Sequence, residues 1–189
     1  LLIILLGFVL GVGQKWLDSI PFNDLPILLQ RFDIVNYFGR LAIWILLGTV
    51  ISVYSRSPLR AGINVFLFFL SMITGYYLYC NYVLGFLPRY YMMIWIGMTC
   101  LSFFIGYLCW YAKGGKGMVS ILISSVILGV LFSQAVLVFQ GIRITHIPEL
   151  ITWLIGLLVL YRKPKELALE IGLSLVVALV YQSFIPYFG

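Results

Sequence analysis

Ala61-Gly62-Ile63-Asn64-Val65-Phe66-Leu67-Phe68-Phe69-Leu70-Ser71-Met72-Ile73-Thr74-Gly75-Tyr76-Tyr77-Leu78-Tyr79-Cys80-Asn81-Tyr82 contains no Asp, Glu, Lys or Arg. A helix that crosses a bilayer needs about 20 predominantly apolar residues. In hydrocarbon an open strand would leave its backbone donors and acceptors unpaired, so such a run must be helical. Similar apolar segments flank it. They run from about Leu1 to Trp16, Tyr37 to Tyr54, Tyr90 to Tyr111, Met118 to Phe139, Ile147 to Tyr161 and Glu166 to Phe184. The expected fold is all-α: a polytopic transmembrane bundle of about seven helices, a single domain over residues 1–189.

Composition agrees. Of 189 residues, 63% are hydrophobic and 10% charged. Soluble domains carry about 25% charged residues, so this chain has too few to cover a water-facing surface. A soluble enzyme, a disordered chain and a secreted disulfide module are excluded. Seven helices consume roughly 140 residues, which leaves no room for a soluble domain. The first segment is similar to a signal-peptide core, but no small-x-small site follows it at Gly13-Gln14-Lys15-Trp16, so it is read as a membrane helix. Cys80, Cys100 and Cys109 form no C-x-x-C pair and read as small apolar core residues.

Basic residues set the expected orientation. Arg56 and Arg60 follow the second segment, Lys113 and Lys116 the fourth, and Arg162, Lys163 and Lys165 the sixth, with Glu166 beside them. The opposite short connections hold only Arg89, then Arg143 with His146 and Glu149. The positive-inside rule makes the first group cytoplasmic, with the N-terminus inside and the C-terminus outside. The expected location is the cell (plasma) membrane.

The first outer connection is different. Lys15, Arg31 and Arg40 there balance Asp18, Asp24 and Asp33. Asn23 or Asp24 can cap a helix with Pro26 in its first turn. Leu25, Leu28, Leu29, Phe32 and Val35 then recur at helical spacing, so a short amphipathic helix is expected in the outer interface, at about residues 17–36. It is either a plain connector or a lid over an external cavity. A weak repeat also shows. Trp44-Ile45-Leu46-Leu47-Gly48, Trp95-Ile96-Gly97 and Trp153-Leu154-Ile155-Gly156 each lead to an aromatic and basic turn, which suggests one helix followed by three hairpins. An aromatic belt above basic inner turns produces the same pattern.

Two stretches carry a resemblance. Pro88-Arg89-Tyr90-Tyr91-Met92-Met93-Ile94-Trp95-Ile96-Gly97-Met98-Thr99 and Cys109-Trp110-Tyr111-Ala112-Lys113-Gly114-Gly115-Lys116-Gly117 resemble an uncharacterised family of small multi-pass bacterial membrane proteins. That family has no assigned activity and implies no functional residues. In size and helix number the chain is also similar to the substrate-binding subunits of energy-coupling-factor vitamin transporters. Those typically have six helices and small residues spaced four apart in the first. Gly7 and Gly11 match that spacing loosely, and the seventh helix departs from the pattern.

Gly7-Phe8-Val9-Leu10-Gly11 is a G-x-x-x-G pattern, which lets a second helix approach closely, within the bundle or on a partner subunit. Lys15 and Asp18 share one face at the outer end of the first helix, and Arg40 starts the second. Charges in this setting pair, snorkel or face a wet cavity. The plainer reading is an Asp18–Arg40 or Asp18–Lys15 ion pair; the sharper is a ligand site. Tyr76, Tyr77, Tyr79, Asn81, Gln134, Tyr181 and Gln182 cluster toward the outer half, while the middle has only Thr74, Thr99 and Ser102. No acidic group is expected at midplane depth, which argues against a proton pump built on a buried carboxylate relay. Lys15, Asp18, Arg40, Tyr77 and Gln134 are the candidate ligand-binding residues, in an outward-opening pocket for a small, partly apolar molecule. An interfacial tyrosine belt is the alternative.

His146 and Glu149 do not make a zinc site, which wants three or four ligands, and His146 reads as an ordinary loop residue. No serine hydrolase arrangement is legible. Lys113-Gly114-Gly115-Lys116-Gly117 lacks the P-loop pattern and reads as a tight inner turn, with contact to anionic lipid headgroups as an extra use. No catalytic residue, metal or cofactor is expected. Expected partners are membrane lipids and a membrane subunit or a second copy of the chain, not nucleic acid. The leading function is small-molecule binding or transport, alone or as a transporter subunit. An accessory or scaffold protein comes second, and a lipid-modifying intramembrane enzyme third.

Overall fold

A computed structural model of the chain describes residues 1–114, 117–138 and 143–184. Its helices are α1 (Leu2–Asp18), α2 (Ile27–Arg31), α3 (Ile34–Gly39), α4 (Ala42–Val53), α5 (Pro58–Tyr82), α6 (Arg89–Cys109), α7 (Tyr111–Gly114), α8 (Met118–Ala135), α9 (Ile147–Val159) and α10 (Pro164–Phe184). The chain is an all-α bundle. Among the described residues, four helices are long and apolar enough to cross a membrane: α5, α6 with its continuation to Lys113, α8 and α10. The other three apolar segments are shorter. α1 has 17 residues, α4 has 12 and α9 has 13. At 1.5 Å per residue α4 and α9 span only about 18–20 Å.

Local sequence starts and stops these helices. Ser57 accepts the Arg60 amide at 3.3 Å and Pro58 opens α5, where its missing N–H costs nothing. α8 ends at Ala135 rather than near Phe139, which lies outside the described residues. Val136 and Leu137 pair instead with Ile144 and Arg143 as a two-residue antiparallel ribbon, β1 with β2. Gln182 of α10 stabilises that exit. Its Nε2 donates to the carbonyls of Ser133 (3.2 Å) and Val136 (2.6 Å), and its Oε1 accepts the Val138 amide at 3.1 Å. One side chain thus satisfies three backbone groups where the helix ladder runs out.

The outer connection departs from the expected single amphipathic helix. A 3-10 turn at Phe22–Asp24 precedes α2, and Asp33 separates α2 from α3 with φ 51° and ψ 42°. Neither Asn23 nor Asp24 caps a helix: Pro26 is the N-cap of α2, with no side-chain cap. Asp tolerates the left-handed conformation because its short side chain bonds locally. Here Asp33 accepts from the Asn36 amide nitrogen at 2.7 Å and from Arg40 at 2.9 Å. Leu25 is buried, whereas Ile27 and Leu28 stay exposed, so the segment presents an apolar outer edge.

α1 packs along α5. A Cβ at Gly7 would overlap the carbonyl of Phe68, and one at Gly11 the carbonyl of Met72; in return, a Cβ at Gly75 would stand 2.5 Å from the carbonyl of Phe8. The G-x-x-x-G face is therefore turned toward its own bundle. Gly11→Leu is expected to push α1 off α5 and cost about 1–3 kcal/mol, as overpacking does. Thermal unfolding in detergent checks this. An unchanged midpoint would mean that α1 is not held along this seam.

The interior is unusual in its polarity. Ser52, Ser124, Ser125, Ser174, Thr152, Glu149 and Glu170 are buried, while Leu101, Phe104, Leu108, Val176 and Val180 are exposed. Small polar groups inside and large apolar ones outside suit a hydrocarbon solvent, where ionisable groups face the bundle interior.

The ends of the bundle sort by charge. Trp110 donates to the Ser55 carbonyl at 2.8 Å, Lys113 to the Tyr54 hydroxyl at 3.2 Å, and Arg162 to the Ala112 carbonyl. The three basic turns, after α4, α6 and α9, therefore meet at one end. Gly115 and Lys116 of the second turn lie outside the described residues.

Candidate functional site: an apolar chamber

Between α4, α5, α6 and α8 lies a chamber of about 290 Å³. Trp44, Ile45, Gly48, Thr49 and Ser52 supply one wall; Val65, Phe69, Met72 and Ile73 another. Trp95, Met98, Thr99, Ser102, Ile105 and Cys109 of α6 face them, with Val126, Ile127 and Val130 of α8. The hydroxyl groups in this wall do not make it polar. Ser52 donates to the Gly48 carbonyl at 2.8 Å and Ser102 to the Thr99 carbonyl at 2.6 Å, each inside its own helix. What remains is almost wholly carbon. Ordinary ligand pockets hold roughly 300–1,000 Å³, so this chamber stands at the small end.

A second, narrower cavity adjoins it and shares Trp44, Met72, Ile73 and Trp95 as walls. Gln14, Tyr76, Tyr77 and Tyr91 line the rest, and its volume is about 20 Å³. That is room for about one water. Tyr77 is 8% exposed, and its hydroxyl has no hydrogen-bond partner among the described residues. Gln14 and Trp44 are held in place together, since both donate to the Phe38 carbonyl at 2.8 Å.

The candidate ligand residues fall in three places. Lys15 pairs with Asp18 at 2.6 Å, and its ammonium stands 5.4 Å from the Tyr76 ring and 5.7 Å from the Phe86 ring. This group borders Tyr77, whose ring centroid is 5.1 Å from that of Tyr76. Of the two ion pairs expected for Asp18, the one with Lys15 forms. Arg40 turns instead to Asp33 and Glu149. Gln134 sits apart, donating to the Tyr181 hydroxyl at 3.3 Å, with its carbonyl accepting from Thr145.

The chain matches no known protein family, curated protein or solved structure.

Two buried carboxylates frame the bundle, and sequence reasoning assigned neither a role. At the end away from the basic turns, Glu149 is fully buried in the first turn of α9 and pairs with Arg40. Beside it the Tyr37 hydroxyl meets Thr152 Oγ1 at 2.5 Å, and Thr152 donates to the Pro148 carbonyl at 2.8 Å. With the Thr152 proton so committed, Tyr37 is the donor to Thr152. At the end where the basic turns meet, Glu170 is fully buried with its Oε1 2.8 Å from Arg162 Nε, while Glu166 is 3.9 Å from the same guanidinium. Glu170 lies about 9 Å into α10, short of that helix's midpoint, an acidic group that the sequence reading did not single out. Part of the signal was available: Glu166 and Glu170, four residues apart, share one face of α10, and Arg162 lies in the turn two residues before that helix.

Proposed function

We propose that this chain is a multi-pass membrane protein that binds a small, largely apolar molecule in the chamber between α4, α5, α6 and α8. It acts alone or as the binding subunit of a transporter. The carbon-walled 290 Å³ space carries the reading. An ion or a sugar would lose its hydration there without replacement hydrogen bonds, whereas an apolar ligand would not. The buried Tyr77 hydroxyl, toward the adjoining narrow cavity, is the polar group such a ligand would engage.

In this proposal seven helices are embedded in the plasma membrane, with the N-terminus cytoplasmic and the C-terminus external. The meeting of the basic turns at one end supports that orientation by the positive-inside rule. α4 and α9, with 12 and 13 residues, are too short to cross alone.

Native mass spectrometry of the gently extracted full chain tests the reading. A retained small-molecule adduct is expected, and Ser102→Phe, which fills the chamber, should remove it. Bare protein before and after that substitution would defeat the proposal. A second reading, a scaffold or accessory subunit, is favoured by the apolar groove of Phe8, Val9, Val12, Gly13, Trp16 and Tyr79 on the outside of α1 and α5. Stable co-purification with another subunit and no ligand would select it.

A further inference from the structure

The chamber is not walled on every side. Much of its lining is buried and Leu41, at the start of α4, is 37% exposed, but the most open lining residues are Met98 and Ile105 of α6 and Val126 of α8, at 42%, 53% and 49%. These three flank the seam where α6 and α8 meet only sparsely, while α6 packs along α5 and α8 along α10. Beyond the rim the surface stays apolar, with Leu101, Phe104 and Leu108 on α6 and Val119 and Leu122 on α8. The opposite way out, past Trp44 and Trp95, narrows to the 20 Å³ cavity.

We infer that the chamber is loaded sideways from the bilayer, between α6 and α8, and that its ligand is a single-chain hydrocarbon amphiphile. This deepens the function proposed above and rests on it. Shape supports a chain over a compact molecule: one wall runs along α4 from Leu41 to Ser52, about 16 Å at 1.5 Å per residue. Energetics support it as well. A dry apolar void forfeits the dispersion contacts of its lining, and water gains too few hydrogen bonds to fill it. A chain already dissolved in lipid gains nothing hydrophobic by entering a protein, because lipid tails are as apolar as leucine. Selection must therefore come from packing along the chain and from a polar end. The buried, unpartnered Tyr77 hydroxyl can donate to an oxygen on that end.

The test uses the full chain in phosphatidylcholine nanodiscs with a 16-carbon fatty acid carrying a mid-chain diazirine. Photolabelling is expected in the peptides that hold Thr49, Thr99 and Ser102. Gly48→Leu should lower it at least five-fold. A Cβ at Gly48 meets Phe69 at 3.6 Å, an ordinary contact, so the added carbons extend into the chamber, and leucine favours the helix. Gly97→Leu places the same side chain on the exposed face of α6, where a Cβ meets nothing within 4 Å, and should leave labelling unchanged. Val126→Trp, at the rim, should reduce labelling independently of Gly48. Label confined to outward faces, or chamber label insensitive to both Gly48→Leu and Val126→Trp, overturns the inference. Azidobenzene, a compact probe that enters from water, separates the two levels. If it labels the chamber in a Gly48→Leu-sensitive way while the fatty acid does not, the lateral amphiphile route falls and the binding chamber stands. If neither labels it, both fall.

Discussion

Replacing Arg40 with Ala is expected to destabilise the folded chain by about 3 kcal/mol. Glu149 is completely buried, and its Oε2 has no hydrogen-bond partner among the described residues, so the Arg40 guanidinium is its main compensation. Removing one partner of such a pair leaves an unbalanced carboxylate in a dry site. The Arg40 side chain keeps 23% exposure, which holds the effect at the low end of the range for broken buried pairs. The first turn of α9 offers Glu149 only a partial substitute, because the helix N-terminus favours negative charge by about 0.3–1 kcal/mol. The loss should spread to the outer connection, since Arg40 also holds Asp33 at the break between α2 and α3. Thermal unfolding followed by circular dichroism reads the effect. The double variant Arg40→Met with Glu149→Leu should recover most of the stability, because an apolar pair of similar volume replaces a buried ion pair at little cost. A single variant as stable as the parent would show that Glu149 is compensated elsewhere.

Arg162→Ala is expected to cost about 3–5 kcal/mol, the larger of the two effects. Its side chain is only 10% exposed, and Glu170 beside it is fully buried. The guanidinium does more than neutralise. It donates to the Ala112 carbonyl and to Ser120, while Ser120 and Ser124 donate to that same carbonyl at 2.8 and 2.9 Å. One planar fork thus joins the turn before α10 to the beginning of α8. Arg162→Lys should restore less than half of the loss, because a single ammonium cannot reach Glu170, Ala112 and Ser120 in the same geometry. The comparison of Ala, Lys and parent by unfolding midpoint decides this. Full rescue by Lys would reduce the role of Arg162 to charge alone.

These two arginines mark the boundary of what the linear chain discloses. Glu166 and Glu170 are legible as a helical pair with Arg162 just ahead of them, because i,i+4 spacing fixes which residues share a face and the arginine is close in sequence. Arg40 and Glu149 are not: 109 residues separate them, and nothing local in either segment names the other. The Lys15–Asp18 pair was the local one of two options for Asp18, and it forms because three residues on a helix bring the groups together, while Arg40 has a better partner across the bundle. The outer helix failed as a sequence expectation for a different reason. Its hydrophobic spacing is genuine, but the tertiary bond between Asp33 and Arg40 accompanies a left-handed residue in the middle of it.

The chain by itself pointed to helices with apolar outer faces, because a shortage of charge leaves too little polar surface to cover the bundle and runs of some 20 apolar residues are long enough for helices of that kind. It also determined the alternation of basic and neutral turns, which depends only on order along the chain. Tertiary structure alone decided that α4 is short, that Gly7 and Gly11 face α5, and that α6 and α8 stand apart around a cavity, whereas the shortness of the Ile147–Tyr161 segment was already legible. A cavity is the space left between helices, and that space depends on how they cross rather than on the composition of any one of them.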